Sequence, residues 1–332
     1  MCAGKGTRIQ PFSYSRPKCM LPVNGIPVID YSIRQLKRAG VSEIGIVIHA
    51  SQPSIREHLG SGDRHGVSIT YLQQQETRGL ADAIRSGRSF LGGDSFLVML
   101  GDNLIEGPVE ALRTAVEMEG AHGAIMLARV ENPRQFGVAV VEQGRVVDLE
   151  EKPEHPRSDL AIAGAYAFRT GVWLHIDRLR PSRRGEYELT DVLQMMIGQT
   201  EKIVYSLLDT PFFDVGTPEQ WIAANRHLMA EDGSRNVIAD GVDLEGTVLI
   251  PPVRIGKGAT IRNSRLGPFV TVGESCRLEA CTIDNSIILE QAELAHLYAL
   301  NSAFGAMSRI NAPLATNKPA RFIIGDKSSI IE

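Results

Sequence analysis

The chain has 332 residues, 43% of them hydrophobic and 22% charged, which is more than one hydrophobic core ordinarily serves, so two domains are expected. A chain of this length buries enough surface to fold without disulfides or a structural metal, which excludes a small stapled scaffold. Its 35 Lys and Arg stand against 39 Asp and Glu, for a net charge of −4 without long single-sign blocks; capture of nucleic acid is thereby disfavoured, and an anionic ligand must be held by a local site.

No apolar stretch approaches the roughly 18 residues of a membrane span, and the first residues lack the apolar core of a signal peptide. A cytoplasmic protein with no membrane partner is expected. The four cysteines, Cys2, Cys19, Cys276 and Cys281, fall outside any Cys-x-x-Cys spacing and read as buried or spare thiols, not as zinc ligands or disulfides.

Met1-Cys2-Ala3-Gly4 enters a glycine-rich turn at once, although a loop of this kind is normally launched from a strand; about half a dozen residues of a first, central strand are expected to be missing. Ile29, Ile33 and Leu36 share one helical face closed by Gly40. Residues 44–48, 67–72, 96–100 and 124–130 read as strands, with helical segments near 52–59, 80–91 and 108–118 between them. This order predicts an α/β fold, a Rossmann-like, doubly wound and mostly parallel sheet. The apolar run Phe96-Leu97-Val98-Met99-Leu100 suits a strand covered on both faces, and such sheets bind ligands at their strands' carboxyl ends.

Past Glu231 the pattern changes. Ile255, Ile261, Leu266, Val272, Leu278, Ile283 and Ile288 recur every five or six residues, punctuated by Gly256, Gly258, Gly267 and Gly273. That is the hexapeptide rhythm of a parallel β-helix, three steps to a coil; an antiparallel meander would have longer spacing and more Asn-Gly or Asp-Gly turns. The expected boundary separates residues 1–232 from 233–332. A β-helix has flat faces and open coil ends that invite subunit packing, so a homo-oligomer is expected. Val270, Val272, Ile287 and Ile288 suit either inward or contact positions.

Several segments carry candidate chemistry. Gly4-Lys5-Gly6-Thr7-Arg8 and Pro17-Lys18 combine a loop whose N–H groups can converge on phosphate oxygens with two cations, Arg for planar bidentate contact and Lys as a compact charge. Leu100-Gly101-Asp102-Asn103 puts a carboxylate just past an apolar strand, where Asp102 also suits a turn cap. Asp214-Val215-Gly216-Thr217-Pro218 delivers a second carboxylate, with Thr217 and Pro218 reading as a helix N-cap and first helical residue. Two acidic side chains near polyphosphate suit Mg²⁺, which takes one or two carboxylates and completes its shell with phosphate oxygens and water.

In this order, Gly4-x-Gly6-Thr7-Arg8, Pro17-Lys18, Gly101-Asp102-Asn103, Glu151-Lys152-Pro153 and Asp214-x-Gly216-Thr217 resemble the sugar-1-phosphate nucleotidyltransferases over nearly the whole chain. Within them the sequence is most similar to the long-form glucose-1-phosphate thymidylyltransferases, which carry a left-handed β-helix after the catalytic domain. The resemblance implies Mg²⁺-dependent attack of a sugar-1-phosphate oxygen on the α-phosphorus of a nucleoside triphosphate, dTTP and glucose 1-phosphate being favoured, with loss of pyrophosphate. It assigns Gly4, Gly6, Thr7 and Arg8 to the triphosphate, Lys18 to the reacting phosphates, and Asp102 and Asp214 to the metal. Base recognition falls to Gln74 and Gly79, a Gln amide matching a pyrimidine N3–H and a neighbouring carbonyl. Because Gln73, Gln74 and Gln75 are consecutive, the register stays open. For the sugar phosphate it implies Gly137, Glu151, Lys152, Gly164 and a wall from Tyr166. Phe136 stands where some short-form relatives have Tyr, and Arg184 to Asp191 reads as mainly structural.

Rival readings are a UDP- or GDP-sugar pyrophosphorylase, a bifunctional enzyme that also acetylates an amino-sugar 1-phosphate, and a non-catalytic regulatory subunit. Acetyltransfer generally wants a His base, and the β-helix region offers only His296. A regulatory subunit would be expected to have lost the metal carboxylates or phosphate cations.

Overall fold

The computed structural model describes residues 1–4, 6–233, 235–311 and 318–331. It has two compact units, Met1–Lys5 with Ile29–Asp214, and Gly6–Val28 with Val215–Glu332.

In the first unit the chain runs α1 (Val28–Arg38), β1 (Glu43–Ile48), α2 (Pro53–Leu59), β2 (Ser68–Gln73), α3 (Leu80–Ser86), β3 (Phe96–Met99), β4 (Asn103–Leu104), α4 (Val109–Glu117), β5 (Gly123–Arg129), β6 (Gly137–Glu142), β7 (Arg145–Glu151), β8 (Leu160–Phe168), α5 (Val172–Arg178), α6 (Leu189–Gly198), β9 (Ile203–Leu207) and β10 (Phe213–Asp214). The helix expected over 80–91 is interrupted at Gly87, after which a separate turn covers Arg88–Leu91. Six strands form a sheet in the order β3-β8-β5-β9-β7-β6. β8 is antiparallel to β3 and β5, β9 is parallel to β5, and β7 is antiparallel to β9 and β6. Four strands (β3, β5, β6 and β9) therefore share one direction, with β7 and β8 running against them.

β8 explains the layering. All nine of its residues are buried, and its register against β5 shifts between Ile162 and Tyr166, around Gly164 at φ +78. Leu160, Ile162, Tyr166 and Phe168 join the core built with α5 and α6. Ala163, Ala165 and Ala167 join the other core, where Leu112, Ala115 and Val116 of α4 pack. Large residues on one face and alanines on the other let helices cover both.

β1 and β2 form a separate parallel pair. Between β1 and β3 lies the start of the chain: Met1 donates from its amino group to the Met99 carbonyl (2.8 Å) and accepts from Gly101 N (3.0 Å), and Cys2 N donates to the Val47 carbonyl (2.9 Å). The facing edges of β1 and β3 also bound an apolar cavity of about 370 Å³.

In the second unit, α7 (Pro218–Glu231) is capped as the sequence suggests, the Thr217 hydroxyl accepting from Gln220 N at 3.3 Å. A stack of short parallel strands follows, in two six-stranded sheets and one four-stranded sheet. Register partners Val253–Val270 and Val270–Ser286 are seventeen and sixteen residues apart, one coil of a left-handed hexapeptide β-helix. All seven marks of the repeat face its interior. Val270, Val272, Ile287 and Ile288 are buried. Non-glycine corners such as Asn263, Ala280, Asn285 and His296 take positive φ. Buried serines link successive coils: Ser264 Oγ accepts from Cys281 N, Ser286 Oγ from Ser302 N, and Ser302 Oγ from Phe322 N, at 2.9–3.1 Å.

Residues 6–28 and α7 precede the expected boundary at 232 but pack with the β-helix. Trp221 Nε1 donates to the Pro22 carbonyl (2.7 Å) and its ring meets Phe12 edge-on. Asn225 Oδ1 accepts from Asn24 N and Thr271 Oγ1 (2.8 and 2.9 Å), and Arg16 pairs with Glu290 at 2.7 Å. The four cysteines are buried free thiols, burial pushing Cys276 up to about 12 and Cys281 to about 11. Among the described residues no helix is long and apolar enough to cross a membrane.

Candidate active site

The first unit gathers most of the acidic and base-reading candidates at strand ends. β10 pairs antiparallel with β4, Asp214 opposite Asn103 and Phe213 opposite Leu104, with paired Cα atoms about 5 Å apart in such a ladder. Asp102 is the residue before Asn103. Gly101 and Asp102 form a turn, so the strict alternation of side chains along β4 does not extend to Asp102. The turn is pinned by Gly101 N to the Met1 carbonyl, Leu100 N to the Gly164 carbonyl (2.9 Å), and Asn103 Nδ2 to the Ala163 carbonyl (3.1 Å). Both carboxylates are half-buried. They are hard oxygen donors of the kind Mg²⁺ takes. No cluster of three or more His, Cys, Asp or Glu suited to a metal occurs among the described residues, so a cation held by this pair would draw its remaining ligands from phosphate oxygens and water.

The three glutamines separate by burial. Gln73 and Gln75 are exposed, whereas Gln74, just past β2, is 3% exposed. Its N–H donates to the Ile48 carbonyl (2.9 Å), and its side-chain Nε2 donates to Asp82 Oδ2 (3.0 Å) on α3. Gly79, which precedes α3, has φ +106, and a Cβ there would lie 2.6 Å from the Tyr187 carbonyl oxygen. Ala81 N donates to that carbonyl and Tyr187 N donates to the Arg78 carbonyl. The crowding that requires glycine thus comes from the 187 backbone.

On the sugar-phosphate side, the β6–β7 hairpin sets Gly137 opposite Glu151. A Cβ on Gly137 would lie 3.0 Å from Glu151 Oε2 and 3.2 Å from Thr190 Oγ1. The Thr190 hydroxyl donates to Glu151 Oε2 at 2.6 Å. Lys152 Nζ and Arg184 NH1 stand 3.8 and 3.6 Å from Glu151 Oε1. Arg184 also pairs with Glu188 (3.2 Å), which accepts from Ser182 Oγ. Burial, then the neighbouring Glu151 charge, raises the Glu188 carboxyl; burial alone raises Asp191. Lys152 N donates to the Phe136 carbonyl (3.0 Å), and the Phe136 ring meets Phe212 edge-on at 5.7 Å.

The two remaining sugar-phosphate candidates both lie in β8. Tyr166 is 6% exposed and stacks on Phe168, its position on β8 alternating with the alanines; burial, then the neighbouring Glu151 charge, raises its hydroxyl well above the ordinary value. Gly164 is buried in the sheet at the register shift, where a Cβ would strike Asn103 Nδ2; its role is to let β8 bend past the Asp102 turn. Thr190 and Arg184, which beside Glu151 form part of this cluster, belong to the segment read from the sequence as mainly structural, and Asp82 was not singled out there. Their signal, a Thr-Asp pair opening α6 and an Asp early in α3, is also that of ordinary capping.

Of the phosphate candidates, Gly4 is exposed, with no atom within 4 Å of where its Cβ would be. In the second unit Gly6, at φ +62, starts a 3₁₀ turn over Thr7–Ile9, and Pro17 precedes another over Lys18–Met20. Thr7 and Arg8 are exposed and Lys18 half-buried.

Acidic residues at the strand ends of such a sheet suit a ligand that carries phosphate and a divalent cation, and comparison with known proteins gives the class as nucleotidyl transferase. The nucleotidyl transferase family model matches residues 1–231, and the model for GlmU-like C-terminal hexapeptides matches 224–294. A glucose-1-phosphate thymidylyltransferase from Streptomyces griseus is 30% identical over 99% of this chain and 97% of its own length. The low-salt glycan biosynthesis nucleotidyltransferase Agl11 of Haloferax volcanii is 35% identical over 89% of this chain and 87% of its own. A crystal structure of a putative glucose-1-phosphate thymidylyltransferase from Bacillus anthracis, with sucrose, superposes with a TM-score of 0.63 at 30% identity, covering 68% of this chain and 91% of that one. The chain belongs to the nucleotidyl transferase family, and it is a sugar-1-phosphate nucleotidyltransferase with a hexapeptide β-helix.

Proposed function

We propose that the protein transfers a thymidylyl group from dTTP to glucose 1-phosphate, giving dTDP-glucose and pyrophosphate, as a cytoplasmic homo-oligomer that uses Mg²⁺. The observation that carries the reading is the β4–β10 ladder, which pairs Asp214 with the neighbour of Asp102, two acids more than a hundred residues apart in the chain. Asp102 and Asp214 would hold the cation, which when bound neutralises phosphate charge and helps orient the triphosphate.

One phosphate oxygen of the sugar 1-phosphate forms a bond to the α-phosphorus as the bond from that phosphorus to the bridging oxygen of the β-phosphate breaks. The electron pair leaves with pyrophosphate, and no covalent enzyme intermediate forms. Catalysis is then a matter of positioning two polyanions and spreading charge on the equatorial oxygens. Arg8 and the Gly4, Gly6 and Thr7 backbone would grip the triphosphate, with Lys18 neutralising the reacting phosphates. Gln74 would read the base beside Gly79. Glu151, held by Thr190, would accept sugar hydroxyls beside Gly137, and Lys152 would meet the sugar phosphate.

A single methyl in an apolar pocket discriminates by about 1–3 kcal/mol, so UTP should be used as well, less efficiently. The test is pyrophosphate release over a matrix of triphosphates and sugar 1-phosphates. dTTP with glucose 1-phosphate should give the highest kcat/KM; a clear preference for GTP with mannose 1-phosphate would overturn the assignment.

A further inference from the structure

We infer that Asp82 is a positioning residue that fixes which way the Gln74 amide faces and thereby sets the base preference, an inference that rests on the proposed role of Gln74 as base reader. A Gln side chain is close to symmetrical in shape but not in hydrogen bonding: one end accepts and the other donates. Buried at 3% exposure, its backbone N–H tied to the Ile48 carbonyl, Gln74 has little freedom except to exchange those two ends. Asp82 removes that freedom. A carboxylate only accepts, so the Gln74 NH₂ must face Asp82 Oδ2, at 3.0 Å, and Oε1 must face the other way. Asp82 is itself set on α3 and lies 3.7 Å from Arg85 NH1. Arg85 in turn donates to the Ile176 carbonyl and lies over the Tyr187 ring. The orientation is therefore built in before any nucleotide arrives.

An outward Oε1 wants a donor on the base. Thymine and uracil present N3–H, with a carbonyl alongside to accept the second Nε2 hydrogen. Cytosine presents an unprotonated N3 beside an amino group, the reverse order, and would meet Oε1 with a lone pair. A site that hydrogen-bonds one pattern rejects its inverse strongly, because both partners are left unpaired.

Asp82→Asn keeps the size of the side chain but supplies an NH₂ that can donate to Gln74 Oε1. The amide can then turn over, presenting its NH₂ to a base that accepts at N3. The experiment measures kcat/KM for dTTP and dCTP with glucose 1-phosphate in the wild-type chain, Asp82→Asn, Asp82→Ala and Gln74→Ala, with melting temperatures alongside. Expected are a fall of at least tenfold in the dTTP/dCTP ratio for Asp82→Asn, carried partly by a gain with dCTP, and a smaller fall for Asp82→Ala, which offers no donor. A loss of dTTP and dCTP turnover in equal proportion in both Asp82 variants would overturn the inference, since a merely structural residue acts that way. If Gln74→Ala collapses the ratio and both Asp82 variants preserve it, Gln74 remains the base reader and the positioning role fails. If Gln74→Ala preserves the ratio, the base-reading role fails and the inference with it.

Discussion

Among the described residues, Thr190 supplies the one close hydrogen bond that Glu151 receives from a neighbouring side chain, and Thr190→Val removes it with almost no change of shape. The hydroxyl lies 2.6 Å from Glu151 Oε2, on a residue 5% exposed. The two cations nearest the same carboxylate, Lys152 and Arg184, stand at 3.8 and 3.6 Å and do not take over that bond. A hydrogen bond to a charged group contributes about 1.5–3 kcal/mol. If Glu151 orients the sugar in the transition state, that amount converts to about a 10- to 150-fold loss in kcat/KM. The assay is pyrophosphate release with sugar 1-phosphate varied and triphosphate saturating, then the reverse. The loss should fall on the sugar 1-phosphate, with the KM for triphosphate little changed. A Thr190→Val protein that melts as the wild type does and keeps its kcat/KM for sugar 1-phosphate would refute the assignment of Glu151 to the sugar.

Asp102→Asn and Asp214→Asn should each lower turnover by roughly 100-fold or more, with melting temperatures little changed; pyrophosphate release across a Mg²⁺ titration checks this, and near-normal turnover at saturating Mg²⁺ would remove them from the metal site. Ile261→Ala, at a β-helix interior position with 0% exposure, should destabilise by about 2–5 kcal/mol in denaturant titrations of the second unit's transition. Asp191 is raised by burial above its ordinary 3.8. The folded chain therefore keeps that proton to higher pH than the unfolded one, and its contribution to stability declines as pH rises from the ordinary value through the folded one. Asp191→Asn should remove this decline, seen as a smaller loss of melting temperature between pH 4 and 7; an unchanged slope would show that burial does not govern the group.

The β-helix was legible because its signal is repetition: each branched aliphatic of the hexapeptide rhythm has one place to go, and all seven marks lie inside. Asp102 and Asp214 stood out in the sequence because each follows apolar residues, and the β4–β10 ladder brings their two segments together. β8 was not, since Leu-Ala-Ile-Ala-Gly-Ala-Tyr-Ala-Phe is poor in β-branched residues; burial on both faces and the need for small side chains against α4 override propensity there. The face that the Tyr166 ring takes was hidden as well, because the register shift between Ile162 and Tyr166 sets it. Packing across long sequence separations was equally hidden, as with Thr190 on Glu151 and with residues 6–28 beside α7. No local pattern encodes a contact of that kind.

The serine-linked coils have a mechanical consequence. Within the stack each coil hydrogen-bonds to the one before and the one after it, so an inner coil is clamped by two neighbours and an outer one by one. Leu244 in the first coil and Ile330 in the last described one are 36% and 42% exposed, against 0–1% for their inward register partners Ile261 and Ile310. Opening should proceed like a zipper from its tips, with amide exchange slowing step by step toward the centre.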